Sequence, residues 1–311
     1  GGILAMYGGD DYVASSRNWA TTPRPAASTF KTFATIAGLR NGFSLDSILK
    51  GNTFTPRGDT KTIRNEFGHQ YGPVTLRRAT ADSINTAFVD LTEQIPDGAN
   101  KVITAANDAG APTGPGWDAN NRIALGAAEV SPVNMANAYA TIAAEGLRAN
   151  PYIVKEIRFA DEGLEPITAK PVTQQVFDKD LMSDVIDAMT YPVEGGSARY
   201  VGRNLDRPAA GKTGTSESFR SAWFDGYVPQ LAAAVGLYRR GPDGQEPAME
   251  DLPDSGDITG GTYPARIWTA YMNAALEGTD VVEFPEPANI NKDAKYRPAQ
   301  TSRPSRPTRT Q

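Results

Sequence analysis

The chain reads as an α+β fold: a central antiparallel sheet flanked by helices, with a mostly helical subdomain. Three observations predict it. A short strand-like run opens the chain, apolar residues recur at helical spacing through the middle, and three extended segments follow one another from residue 208. Strands at the front and back around a helical middle imply one sheet assembled from both ends of the domain. No internal repeat points to a solenoid or array.

Taken in order, GGILAMYGG (1–9) reads as a short strand closed by glycines, with no signal peptide before it, so the chain reads as starting inside a fold. The loop ATTPRPAA (20–27) delivers a helix carrying Ser28, with Phe30, Phe33, Ala34 and Ala37 at helical spacing. Residues 72–95 predict a helix from about Thr75, a break near Asp82 and a second helix from about Asn85. In SPVNMANAYATIAAEG, Ser131 is the expected N-cap, Pro132 takes the first helical position and Gly146 ends the helix. DKDLMSDVIDAMTYPV (178–193) is a further helix, expected to stop at Pro192. PAAGKTGTS, SAWFDGYVP and LAAAVGLYR then predict an antiparallel meander. Residues 241–262 read as a loop rich in Gly, Pro and acids, and 264–277 as a helix. The domain is placed at 1–284. Residues 285–311 are expected to be a Pro/Arg-rich solvated tail or linker, because they hold no apolar period with which to bury themselves.

Composition removes several chemistries. With 311 residues the chain has room for a sizeable core. Its net charge of −5 argues for no nucleic-acid partner. Its longest apolar run, LAAAVGLY (231–238), is far below the roughly 20 residues that span a bilayer. There is no cysteine and one histidine, which excludes thiol catalysis, cysteine-ligated zinc and any site needing two histidines. That histidine, His69, sits in FGHQYGP and reads as a surface loop residue. No cofactor and no metal are expected.

Three short stretches carry chemistry. In ASTFKTFA (27–34), Ser28 and Lys31 stand three positions apart, which a helix brings onto one face with Cβ atoms roughly 5–6 Å apart. That pairs a nucleophile with a possible base. ADSINTA places Ser83 and Asn85 two apart around a helix break, and AGKTGTS places Lys212, Thr213, Gly214 and Thr215 in a glycine-flanked strand. Singly, each has a plainer reading: a helix-start serine, a solvated lysine, a cap, a turn. From the residues alone, Ser28 beside Lys31 is no more than a possible nucleophile and base.

The set S-x-x-K, S-x-N, K-T-G, here as Ser28-Thr29-Phe30-Lys31, Ser83-Ile84-Asn85 and Lys212-Thr213-Gly214, resembles that of the penicillin-binding proteins and serine β-lactamases. ILAMYGG, GPVTLRRATADSINTAF, IALGAAEVSPVNMANAYATIAAEG, AAGKTGTSESFRSAWFDGYVP and GGTYPARIWTAYMNAAL are similar, in order, to a penicillin-binding transpeptidase domain of the bifunctional class A kind, over nearly residues 2–278. Ala26-Ala27 stands where that family often has Pro-Gly, and Thr32 where it often has proline. Both are expected to alter helix entry without removing a reactive group.

The resemblance implies a D,D-transpeptidase cross-linking peptidoglycan stem peptides through a Ser28 acyl-enzyme, with β-lactams acylating the same serine. It implies Lys31 as base, Ser83 as proton relay and Asn85 as a holder of Lys31 or of a substrate amide. Lys212, Thr213 and Thr215 would receive a carboxylate, with Gly214 permitting close approach and the N–H groups of Ser28 and Thr215 facing the oxyanion. It implies further a donor ending in D-Ala-D-Ala, an amine acceptor and an extracytoplasmic location. In the full-length protein it implies a membrane anchor, a glycosyltransferase domain and a strand pairing with the opening one. The alternatives are a D,D-carboxypeptidase or endopeptidase, a β-lactamase and a non-catalytic β-lactam sensor. Glu129 is the one carboxylate that tempts as a water activator, and its plainer place is beside the Ser131 cap.

Overall fold

In the computed structural model, residues 1–13, 16–160, 163–241 and 245–293 are described. Strand β1 (Arg24–Pro25) leads into a 3₁₀ turn at Ala27–Phe30 and then helix α1 (Lys31–Arg40). Strand β2 (Ile48–Lys50) pairs antiparallel with β3 (Pro73–Thr75), which runs directly into α2 (Leu76–Ala81). Helices α3 (Asn85–Gln94) and α4 (Gly98–Ala109) follow, then β4 (Glu129–Val130), which pairs with β1. Next come α5 (Pro132–Ala143), β5 (Leu147–Ala149), β6 (Glu156–Ile157), β7 (Ile167–Thr168) and β8 (Thr173–Gln175). Of these strands, β5 pairs with β8 and β6 with β7. Helices α6 (Lys179–Glu194) and α7 (Arg199–Asn204) precede β9 (Ala210–Thr215), β10 (Ser221–Val228) and β11 (Leu231–Tyr238), and α8 (Tyr263–Ala275) follows them.

The main sheet has the order β11-β10-β9, all antiparallel, so β9 is an edge strand. Side chains alternate across a strand, and β10 is buried on both faces. Trp223 and Tyr227 join the core shared with α1, α5 and α6, while Phe224 and Val228 pack with Trp268 and Met272 of α8. The sheet therefore lies between the helical bundle and α8. Helix α1 runs through the centre, buried at every position from Lys31 to Leu39. A helix enclosed on all sides carries no polar stripe, and KTFATIAGL fits that except at its first residue.

The sequence expectations hold at most helix ends. Thr75 caps α2, Ser131 caps α5 by accepting the Asn134 N–H, and Gly146 at φ 86° returns its N–H to the Thr141 carbonyl. Four points differ. The opening residues form no strand: Gly2 makes an isolated bridge to Tyr152, and Leu4 and Tyr7 are exposed. Its Leu4, Met6 and Tyr7 find no surface among the described residues to cover them, so the order a ladder requires is not repaid. The main sheet is accordingly built from one stretch, 210–238, and not from both ends. Pro192 does not stop α6, which runs to Glu194. A proline in the last turn forfeits only one late hydrogen bond, and Gly195 closes the helix on the Tyr191 carbonyl.

The fourth difference is the tail. Its described part is docked: Asp184 on α6 accepts the backbone N–H groups of Asn289 and Ile290, and Asn291 Nδ2 donates to the carbonyls of Leu39 and Phe43. Phe284 stacks edge-on against Tyr227 at 5.7 Å. A solvated tail from residue 285 is corrected to that extent, because polar backbone here finds buried partners that need no apolar period. Residues 294–311 lie outside the described residues. Among the described residues no helix is long and apolar enough to cross a membrane.

Candidate active site

The residues of the three motifs lie at the junction of α1, the α2–α3 break and edge strand β9. Ser28 lies in the 3₁₀ turn, where side chains three apart eclipse, so Ser28 and Lys31 share one face. Ala27, just before it, has φ 51°, a left-handed conformation that costs a residue with a Cβ about 1–2 kcal/mol. The turn is held from both sides: Ala26 and Ala27 donate to the carbonyls of Ala128 and Gly126. Gly126 must be glycine here, since a Cβ on it would meet the Ala27 backbone at 1.9 Å.

Lys31 does not bond Ser28. Its ammonium has three acceptors across the α2–α3 break: the Ser83 carbonyl at 2.7 Å, Ser83 Oγ at 3.1 Å and Asn85 Oδ1 at 2.6 Å. Three acceptors match three hydrogens, and none is a carboxylate. Burial, reinforced by the Lys212 cation, therefore holds the Lys31 ammonium well below the usual lysine range, with Glu66 pulling weakly the other way. Ser83 is placed by a φ of 57°, which turns the chain between the two helices. Asn85 is the first residue of α3 and donates to the Arg64 carbonyl at 3.4 Å.

Strand β9 brings the remaining residues. Lys212 is fully buried, donates to the Thr213 carbonyl at 3.2 Å, and burial pushes it down to about 7. Its cross-strand neighbour is Asp225, whose carboxyl oxygens have no hydrogen-bond partner among the described residues. Burial pushes that carboxyl well up. Burial is what brings Lys212 down, with Glu66 and Asp82 pulling the other way. Thr213 and Ser197 exchange a hydroxyl hydrogen bond at 2.7 Å, and Thr215 Oγ1 accepts the Gly260 N–H at 3.2 Å.

Gly214 lets β9 close on the nucleophile turn, since a Cβ there would stand 2.9 Å from the Ala26 carbonyl and 3.0 Å from Thr29 Cγ2. As β9 is an edge strand, its outer N–H and C=O groups have no strand partner, and a peptide can lie against them.

Thr32, a departure from the family pattern, and Glu129, the candidate water activator, find their places. Thr32 Oγ1 donates to Tyr139 Oη at 2.8 Å, and Tyr139 in turn donates to the Thr29 carbonyl at 2.9 Å, so the hydroxyl is satisfied inside the core. Glu129 lies in β4, paired with Pro25 ahead of the turn. His69 is an exposed loop residue.

Ser197 and Gly260 were missed in the sequence. Their signal is a pair of glycines beside a small hydroxyl residue, GGS at 195–197 and GGT at 260–262. A Cβ on Gly260 would meet the Trp223 carbonyl at 2.3 Å and the Gly214 N at 2.7 Å.

Known proteins resemble this chain in sequence and in fold. The chain is 33% identical over 310 residues to penicillin-binding protein 1A of Mycolicibacterium smegmatis, covering 93% of this chain and 38% of that protein's length. PonA1 of Mycobacterium tuberculosis superposes with a TM-score of 0.81 at 29% identity, over 94% of this chain and 79% of that one, and its structure has also been solved with penicillin V. The imipenem acyl-enzyme complex of penicillin-binding protein A from M. tuberculosis superposes with a TM-score of 0.71 at 26% identity, over 86% of this chain and 64% of that one. Residues 1–256 match the penicillin binding protein transpeptidase domain. A match over that much of the chain, spanning all three motifs, fits the geometry at α1, the α2–α3 break and β9, and the chain belongs to the penicillin-binding transpeptidase domain family.

Proposed function

We propose that the chain is a serine D,D-transpeptidase acting on peptidoglycan stem peptides, outside the cytoplasmic membrane, and that β-lactams acylate Ser28. The observation that carries the reading is the buried Lys31 ammonium, held by Ser83 and Asn85 beside Ser28 with no carboxylate among its hydrogen-bond partners. A lysine so placed spends time neutral at physiological pH and serves as a base.

In acylation, Lys31 takes the Ser28 hydroxyl proton and Oγ attacks the carbonyl between the last two D-alanines. The carbonyl oxygen turns to the N–H groups of Ser28, at the helix start, and Thr215, on the edge strand. The C–N bond then breaks. Ser83 hands a proton to the leaving nitrogen and is resupplied by Lys31. The terminal carboxylate lies against Lys212 and the hydroxyls of Thr213 and Thr215, which Ser197 and Gly260 hold in place. An amine of a second stem resolves the ester: its nitrogen bonds to the carbonyl carbon, the C–Oγ bond breaks, and the amine proton returns to Ser28. PonA1 in complex with penicillin V and the imipenem acyl-enzyme of penicillin-binding protein A support β-lactam reactivity at such a site.

The test is intact mass after exposure to a fluorescent penicillin, followed by peptide mapping. One adduct is expected, on the peptide containing Ser28, absent in Ser28→Ala and formed about 10²–10⁴-fold more slowly in Lys31→Ala. With an isolated wall precursor, cross-linked dimer is expected. D-alanine release without dimer at saturating acceptor would make the enzyme a carboxypeptidase, and an adduct elsewhere would overturn the site.

A further inference from the structure

The catalytic junction does not end at Ser83. On the far side of that residue a cleft of about 460 Å³ opens to solvent, walled in part by Glu66, Phe67, Tyr71, Asp82, Ser83 and Arg199. Ser197, whose hydroxyl bonds Thr213 of β9, also lines it. The cleft thus borders Ser83, which would face the leaving amine, and the hydroxyl that supports Thr213, and not the nucleophile turn.

That placement decides what belongs in it. In transfer from a single serine ester, the incoming amine makes the kind of bond the leaving amine has just broken. By microscopic reversibility it approaches along the same line. The acceptor extends beyond the departed residue, into the space past Ser83 and Ser197.

The lining carries both signs, Glu66 and Asp82 with Arg78 and Arg199, and its Glu66 side fits a cation. Asp82 is already engaged by Arg78 in an ion pair. Glu66 is exposed and makes no ion pair among the described residues, yet it is near enough to act on both Lys31 and Lys212. Beside it Phe67 has φ 54° and is 83% exposed. Nothing in the core accounts for an aromatic residue held out to water in a conformation that costs about 1–2 kcal/mol. Its ring continues through His69 at 6.1 Å to Tyr71, 6.0 Å further on, which makes an aromatic wall along the cleft. A free carboxylate next to aromatic faces is the chemistry that attracts an ammonium group.

We propose that this cleft is the acceptor subsite, and that Glu66, with Phe67, draws the acceptor's alkylammonium to the ester and so favours aminolysis over hydrolysis. The inference rests on the acyl-enzyme reading above. Once bound, the amine loses its extra proton to solvent and attacks as described.

The test starts from the acyl-enzyme, so that it does not depend on how fast the ester forms. A thioester peptide donor is supplied, and the ratio of aminolysed to hydrolysed product is followed against acceptor concentration, with functional enzyme counted by penicillin titration. Two acceptors are compared: Nα-acetyl-lysine, whose side-chain amine is cationic, and hydroxylamine, which is neutral. In Glu66→Gln the ratio with Nα-acetyl-lysine is expected to fall about five- to tenfold, and in Phe67→Ala several-fold. With hydroxylamine the ratio stays within about twofold in both variants.

An equal fall for both acceptors overturns the subsite, since it places the effect on the lysines instead. So does an unchanged ratio, or an absence of aminolysis in the wild type while the penicillin adduct still forms. Failure of the adduct itself would strike the acylation reading first and is seen separately in the titration.

Discussion

At the scale of single residues, the site rests on two lysines whose ammonium groups burial makes stronger acids: both give up protons more readily than a lysine in water. For Lys212 the direction has a consequence for stability. Its folded value of about 7 lies below the roughly 10.4 of an unfolded lysine, so between these limits the unfolded chain binds more protons. Stability therefore rises with pH from about 7 toward 9, by at most about 1.4 kcal/mol per pH unit for this group. A urea midpoint that climbs over that window in the wild type, and less steeply in Lys212→Met, is the expected result. A flat wild-type profile would contradict it. Ala27 offers a second check. Its φ of 51° suits glycine, so Ala27→Gly is expected to gain about 1 kcal/mol, read as a higher denaturation midpoint. A loss would show that the packing of the buried methyl outweighs the strain.

At the scale of elements, catalysis depends on how closely β9 approaches the 3₁₀ turn and the loop before α8. Gly214 and Gly260 set both separations, because their missing side chains leave backbone against backbone. Gly260→Ala would place a Cβ 2.3 Å from the Trp223 carbonyl and force the loop off β9, breaking the N–H bond to Thr215. Overpacking of this kind costs about 1–3 kcal/mol. Penicillin acylation is expected to slow at least tenfold while far-ultraviolet circular dichroism stays unchanged. Acylation at the wild-type rate would show that Thr215 needs no such support. The same alternation that buries β10 on both faces explains why α8 and the helical bundle each own one side of the sheet.

At the scale of the molecule, the segment 284–291 ties α6 to the C-terminal end of α1 and thereby braces the helix that carries Lys31. Asp184 holds two backbone N–H groups, and Asn291 donates to the carbonyls of Leu39, in the last turn of α1, and of Phe43, just beyond it. Charge-assisted hydrogen bonds contribute roughly 1.5–3 kcal/mol each where buried. A chain ending at Pro285 is expected to melt several degrees below one ending at Asp293, with slower acylation. Equal melting temperatures would mean that the segment rests on the domain without supporting it.

What the amino-acid order determined by itself is the local part. The capping of α2 and α5 by Thr75 and Ser131, the break before Asn85 and the three-strand meander follow from side-chain chemistry within a few residues. The candidate reactive residues could be picked out because three compact motifs in order resemble a known family's set, each being weak by itself. Long-range choices were not legible. Lys31 turns to Ser83, 52 positions away, instead of to Ser28, because three acceptors across a helix break satisfy an ammonium that one hydroxyl cannot. The opening segment reads as a strand but pairs with no sheet, and Asn289 to Asn291 read as linker but find Asp184 and the end of α1. In each case the deciding partner is remote in sequence, and only the folded chain brings it within the 3 Å or so over which hydrogen bonds act.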